Sequence, residues 1–155
     1  LSQNAAMRSS MHAFYAANNP IYAECGGMLY LLDSLETKNK EIAPMLGLLP
    51  GHAVMQERLA ALGLQAFAAP DNECKSVPTE SVTSCHKEDT SNNEIRGHTF
   101  HYSTANISVE PWVVARRQRG AAKGEGVFRK GSITATYLHL YFPSNPLLAA
   151  SFFQA

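Results

Sequence analysis

Met7, Met11, Phe14 and Tyr15 fall at i, i+4, i+7 and i+8, the spacing of one face of an amphipathic helix. Asn18, Asn19 and Pro20 end that pattern. Ile21-Tyr22-Ala23 is too short an apolar run for a helix and fits a buried strand. Cys25-Gly26-Gly27 then predicts a tight turn, after which Met28, Leu31, Leu32 and Leu35 return to helical spacing. Helix, strand, sharp turn and helix in succession are the rhythm of a layered α/β domain. Gly47-Leu48-Leu49 predicts a further strand, closed by Pro50-Gly51, and residues 52–68 hold apolar pieces without one clear period. From 70 to 94 the character changes to Asp, Asn, Glu, Ser, Thr and Lys with almost no large apolar side chain, which predicts a polar insertion forming a mobile loop.

The second half reads as strands. His98, Phe100 and Tyr102 alternate with Thr99, His101 and Ser103, the period-two signature of an extended segment. Trp112 to Arg116 predicts another strand. Gly126-Val127-Phe128 and Ile133 to Leu140 flank Lys130-Gly131, which predicts a hairpin, with His139 at the end of its second arm. Ser144 or Asn145 can cap a last helix that has Pro146 in its first turn and carries Leu147, Leu148 and Phe152.

The 155 residues suit a single domain, and balanced charge (13 basic and 13 acidic residues) argues against nucleic acid or an anionic membrane as partner. No charged segment precedes an apolar h-region, and no apolar run nears the ~18 residues that span a bilayer. Three cysteines without scaffold spacing (Cys25, Cys74 and Cys85) read as thiols of a cytoplasmic protein. The chain opens at Leu1 inside a helical pattern, which predicts a piece of a longer polypeptide.

Candidate chemistry centres on Ala23-Glu24-Cys25-Gly26-Gly27. A nucleophile on a strand-to-helix turn projects its side chain clear of the backbone. A following glycine tolerates strained dihedrals and leaves room for substrate. The N-terminus of the next helix favours a thiolate, and the Gly26 N–H is placed to hold an oxyanion. Cys25 reads equally as a small buried side chain beside a glycine turn. Among six histidines, His139 is the best base, because active sites of open α/β sheets gather at strand carboxyl ends. Taken without Cys25, it reads as a hydrogen-bonded core residue. His98 and His101 lie three apart on a strand, on opposite faces, which disfavours a shared metal. Cys74, Cys85 and His86 lack zinc-type pairing, and no phosphate-binding Gly-x-x-x-x-Gly-Lys-Ser/Thr loop occurs, the stretch Gly120 to Gly126 included.

Three segments occur in order: Pro20-Ile-Tyr-Ala-Glu-Cys-Gly-Gly-Met-Leu-Tyr-Leu31, Arg96-Gly-His-Thr-Phe-His-Tyr-Ser103 and Tyr137-Leu-His-Leu-Tyr-Phe-Pro-Ser-Asn-Pro146. Together they resemble the glutamine amidotransferase domain of cobyrinic or hydrogenobyrinic acid a,c-diamide synthases, over residues 1–155 apart from the insertion. The resemblance implies a class I amidotransferase fold, a flavodoxin-like three-layer αβα sandwich, lacking here its first strand and Gly-rich loop. It implies Cys25 as nucleophile on the glutamine side-chain amide and His139 as general base and acid. It implies a glutamine pocket lined by Gly26, Gly27, His101, Tyr102 and Ser103. It assigns ATP, Mg and the corrinoid substrate to a synthetase domain of the same polypeptide, with no cofactor in this segment. Many relatives outside the group carry Glu two residues past the histidine. That place is Tyr141 here, so a Cys–His dyad is expected. Thr99 stands where relatives usually have Glu, which predicts a local change without loss of chemistry. The nearest alternative is the same domain attached to another ligase, such as cobyric acid synthase or a cell-wall amidating enzyme. A catalytically silent assembly module and a cysteine hydrolase acting on another acyl substrate are the readings from other classes.

Overall fold

A computed structural model describes residues 1–70, 93–120 and 122–154. The chain runs through α1 (Ala5–Ala16), β1 (Ile21–Glu24), α2 (Gly26–Leu31), β2 (Ser34–Glu36), β3 (Ile42–Pro44), β4 (Gly51–Met55) and β5 (Ala61–Ala68). It continues with β6 (Glu94–His101), β7 (Ser103–Ile107), β8 (Val113–Arg117), β9 (Lys123–Lys130), β10 (Ile133–Thr136) and β11 (His139–Tyr141). A single 3-10 turn (Phe142–Ser144) leads into α3 (Pro146–Ser151).

α1 begins where the Asn4 side chain accepts the Met7 N–H at 2.9 Å, a cap that satisfies one of the free donors of the first turn. Met11 and Tyr15 pack on the core, while Met7 and Phe14 stay exposed, so only half of the expected apolar face is used. α2 ends at Leu31, and Leu35 belongs to β2. Gly47–Leu49 forms no strand. It is a buried loop whose backbone is tied to Leu31 and Leu32 (Gly47 N–H to Leu32 O, 2.7 Å; Leu49 N–H to Leu31 O, 2.9 Å). Its apolar run is explained by burial of Leu48 and Leu49 against α2.

The mixed α/β reading stands, but the molecule is strand-rich. Seven strands form one sheet in the order β1-β10-β9-β8-β5-β6-β11, and four form another in the order β3-β2-β4-β7. Among the described residues only the β1–β10 and β2–β4 pairs are parallel, so the sheet is not the open parallel one that the αβα rhythm predicts. The expected long strand from 133 to 140 is two. β10 stops at Thr136, two buried residues cross over, and β11 pairs with β6 through His139↔His98. The polar segment beginning at residue 70 falls, from 71 to 92, outside the described residues, as do Cys74, Cys85 and His86.

Alternation along the strands builds two cores. Ile21, Ala23, Ile133 and Ala135 point into one, shared with α2, the 46–49 loop and Ala53 of the smaller sheet. Tyr22 and Val127 face the other, with Phe67, Ile95, Leu138 and Phe152. β1 and β11 are opposite ends of the strand order, yet Glu24 at the end of β1 touches both His139 and Leu140 of β11. The large sheet therefore curls until its two edges meet. Among the described residues no helix is long and apolar enough to cross a membrane.

Leu32 is fully buried in the first core. Its replacement by Ala leaves a cavity, and such changes cost about 2–5 kcal/mol. Chemical denaturation of the Leu32→Ala form is expected to show a loss in that range. A change below about 1 kcal/mol would mean that the core collapses around the gap.

Candidate active site

β1 pairs with β10 in the register Ile21↔Ile133 to Glu24↔Thr136, and the Cys25 N–H closes the ladder on the Thr136 carbonyl at 2.8 Å. α2 starts at once: the Leu29 N–H bonds to the Cys25 carbonyl at 3.0 Å. Between these two constraints Cys25 adopts φ 45° and ψ −111°. A side chain with a Cβ is strained there by about 1–3 kcal/mol. The strain sits on the cysteine itself, not on the glycines that follow. A Cβ at Gly26 would meet nothing within 4 Å, and one at Gly27 would meet only the Ala23 Cβ at 3.6 Å, so these positions keep the turn open.

Cys25 is half-buried. Burial pushes its thiol above the ordinary range, the Gly26 N–H pulls it back, and the neighbouring Glu24 carboxylate pushes it up again. The net direction is upward, against the expectation that the helix terminus lowers it. The physical reason is that desolvation and the like charge of Glu24 together outweigh the Gly26 N–H.

His139, the base expected from the sequence, lies with its Nδ1 3.3 Å from Oε2 of Glu24, the residue before Cys25. Glu24 Oε1 accepts the Leu140 N–H at 2.9 Å and the Tyr22 hydroxyl at 2.5 Å. Burial and this carboxylate hold the Tyr22 hydroxyl strongly towards its neutral form. The His98 ring stacks on His139, with centroids 5.1 Å apart.

The segment from 98 to 103 alternates as expected: Thr99, His101 and Ser103 are buried, while His98, Phe100 and Tyr102 are exposed. His101 and Ser103 join an internal polar array. His101 Nδ1 is 2.8 Å from the Ser103 carbonyl, and its ring lies flat on Tyr137 with centroids 3.7 Å apart. Ser103 Oγ meets the Tyr137 hydroxyl at 2.9 Å. Burial is the main cause that pushes Tyr137 up to about 12, and Tyr137 directly follows Thr136, whose carbonyl accepts the Cys25 N–H at 2.8 Å. Glu125 Oε1 binds both His101 Nε2 (3.2 Å) and Thr99 Oγ1 (3.3 Å). A carboxylate thus stands against Thr99 although residue 99 carries none. Tyr102 goes the other way. Its ring lies on the outer face, edge-on to Phe100 and 6.0 Å from the Lys38 ammonium. The array is built around His101 and Ser103 without the Tyr102 side chain. Among the described residues no group of three or more His, Cys, Asp or Glu is arranged to hold a metal ion.

Sequence reasoning missed Glu24, Tyr22, Tyr137 and Glu125. The signal for Glu24 was a carboxylate inside a four-residue strand whose other polar atoms are few. The others show only once β6, β9 and β10 are placed together.

A strained cysteine at a strand-to-helix turn, preceded by a glutamate that contacts a histidine, is the arrangement in which comparison with known proteins becomes decisive. Residues 1–147 match the model of the CobB/CobQ-like glutamine amidotransferase domain. The chain belongs to that family. It is 43% identical over 151 residues to the hydrogenobyrinate a,c-diamide synthase of Pseudomonas aeruginosa, covering 97% of this chain and 30% of the relative. It is 39% identical over 154 residues to the cobyrinate a,c-diamide synthase of Herminiimonas arsenicoxydans (99% and 30%). To that of Dehalococcoides mccartyi strain 195 it is 34% identical over 162 residues (99% and 31%). The chain therefore spans less than a third of the length of these relatives. Within the amidotransferase family a half-buried thiol on the turn after β1 is the group to test first.

Because the Cys25 thiol is held up, its alkylation by iodoacetamide should still be accelerating with pH beyond about 8.5, where a free cysteine is half ionised. The measurement is mass spectrometry of the Cys25 peptide, since Cys74 and Cys85 also react. A plateau already reached at neutral pH would contradict the electrostatics described.

Proposed function

We propose that this chain is the glutamine-hydrolysing domain, spanning residues 1–155, of a cobyrinate or hydrogenobyrinate a,c-diamide synthase. In this reading it supplies ammonia for ATP-dependent amidation of corrinoid a and c carboxylates in cobalamin biosynthesis. The observation that carries it is the contact of His139 with Glu24, the residue that precedes the strained Cys25. The names of the relatives support the pathway. Mg–ATP and the corrinoid belong, in this reading, to the synthetase domain of the complete polypeptide, and no step below runs through them. Three cysteines without disulfide-scaffold spacing support a cytoplasmic location. A class I three-layer arrangement is supported by β1, β9 and β10 being covered on both faces.

The chemistry follows from the resting state. His139 takes the thiol proton as Cys25 Sγ forms a bond to the side-chain amide carbon of glutamine. The oxyanion that develops is held by the Gly26 N–H, and one such donor is worth about 3 kcal/mol. The C–N bond then breaks, and the proton passes from His139 to the departing nitrogen, which leaves as ammonia. Water, deprotonated by the same imidazole, attacks the glutamyl thioester. The C–S bond breaks, the proton returns to sulfur and glutamate is released. His101, Ser103 and Gly27 are assigned to the glutamine pocket, supported by the burial of the first two against Tyr137. Tyr102, which faces outward in this chain, is assigned no side-chain contact there.

Glutamate release by the full-length protein tests the assignment. Cys25→Ala and His139→Ala should each lower kcat by about 10⁴-fold or more, because members of one catalytic unit fail together. A glutamine-mimicking electrophile such as diazo-oxo-norleucine should label Cys25. Undiminished turnover in the Cys25→Ala form would overturn the mechanism.

A further inference from the structure

The position that carries a triad carboxylate in many amidotransferases is Tyr141 here, and Tyr141 is largely exposed. A carboxylate nevertheless reaches His139, from the opposite end of the strand order. Glu24 Oε2 is 3.3 Å from Nδ1, the ring nitrogen that leaves Nε2 free. Its other oxygen is clamped by the Leu140 N–H and the Tyr22 hydroxyl, so the carboxylate cannot swing away without stranding both donors. Tyr22 is in turn wedged by stacking on Phe152 at 5.4 Å and edge contact with Phe142 at 5.5 Å. From this ion-pair distance the carboxylate faces Nδ1 and favours the proton there, with Nε2 turned to the other side of the ring.

A purely structural role does not account for the charge. A neutral glutamine carbonyl could accept from both Tyr22 and Leu140. The charge also works against the nucleophile, since a neighbouring anion disfavours the thiolate. It is useful only once a proton has moved to the imidazole, when a carboxylate on Nδ1 stabilises the cation. We propose that Glu24, the residue preceding the nucleophile, is the positioning residue of His139, making the catalytic unit Cys25–His139–Glu24 in place of a dyad. Glu24 faces the imidazole as a carboxylate throughout and takes no proton.

This rests on the glutaminase reading, and the experiment separates the two. Glutamate release is measured on the full-length protein and on its Glu24→Gln, Glu24→Asp and Cys25→Ala forms, each checked by its melting curve. Loss of a group that orients the base should lower kcat of Glu24→Gln by about 10²–10⁴-fold, with KM for glutamine within about threefold of the parent. Glu24→Asp, which keeps the charge, should recover at least about tenfold of that loss, since charge and not shape is what Gln lacks. Iodoacetamide should alkylate Cys25 in Glu24→Gln at pH 7 no more slowly than in the parent, because an opposing charge has gone. Slower catalysis with an undamaged thiol is the pattern that misfolding cannot produce. If Glu24→Gln does not fold, Glu24→Asp carries the test alone: it should melt like the parent and lose at least about threefold in kcat through its shorter reach. Parent-like kcat in Glu24→Gln, or in Glu24→Asp where that form stands alone, while Cys25→Ala is inactive overturns the positioning role and leaves the glutaminase reading intact. A raised KM with kcat unchanged also overturns it. Turnover that persists in Cys25→Ala removes the reading beneath it.

Discussion

The two edges of the seven-stranded sheet meet at one carboxylate, and the site depends on that meeting. β1 and β11 share no ladder, yet the Glu24 side chain accepts the Leu140 N–H and faces His139. The parallel register of β1 on β10 sets where Glu24 ends. The two-residue crossover after Thr136 sets where His139 returns. A slip of one residue in either place would turn the reacting side chains to the wrong face, because strand side chains alternate. The curl also settles an exposed-edge problem, since the start of β11 is covered by a side-chain acceptor instead of another strand.

Packing keeps this junction in place. Beneath the turn, Met28, Leu31 and Leu32 are fully buried and fasten α2 to β1, β10 and the 46–49 loop. Above it, Tyr22 carries aromatic contacts from Phe142, Phe152 and Phe153, so α3 and the 3-10 turn brace the strand that ends in Glu24. Arg129 lies over the Trp112 ring at 3.7 Å on the same side. The polar array of His101, Ser103, Tyr137 and Glu125 is stiff for a different reason: its groups are buried and bonded to one another, and breaking one bond strands a partner. The site therefore combines an apolar floor with a polar wall that has few alternative arrangements.

Much of this was legible in the chain itself. The α1 periodicity, the short strand before Cys25, the alternation from His98 to Ser103, the Lys130-Gly131 hairpin and the cap at Asn145 are all local signals, and the structure follows each. What escaped is long-range. The apolar run from 133 to 140 has no internal mark telling where β10 ends and β11 begins; the break is imposed by pairing with two different strands. Gly47–Leu49 looks like a strand because burial alone makes a loop apolar. The predominance of antiparallel pairs, where a parallel sheet was expected, follows from ladders that join distant segments, such as β5 with β6. Glu24 was in plain view beside the nucleophile, but its partners lie more than a hundred residues on, at His139 and Leu140. The thiol's upward displacement was also invisible, because burial and neighbouring charge are properties of the folded site.

The backbone at Cys25 has a consequence for the stability of this chain. With φ at 45°, position 25 is one that glycine would occupy without strain, whereas cysteine holds it at a cost of about 1–3 kcal/mol. Relaxing it needs only a single replacement, and stability alone would favour that replacement. Substitution of Cys25 by glycine at this turn would therefore be expected to stabilise the fold while removing the side-chain sulfur from that spot.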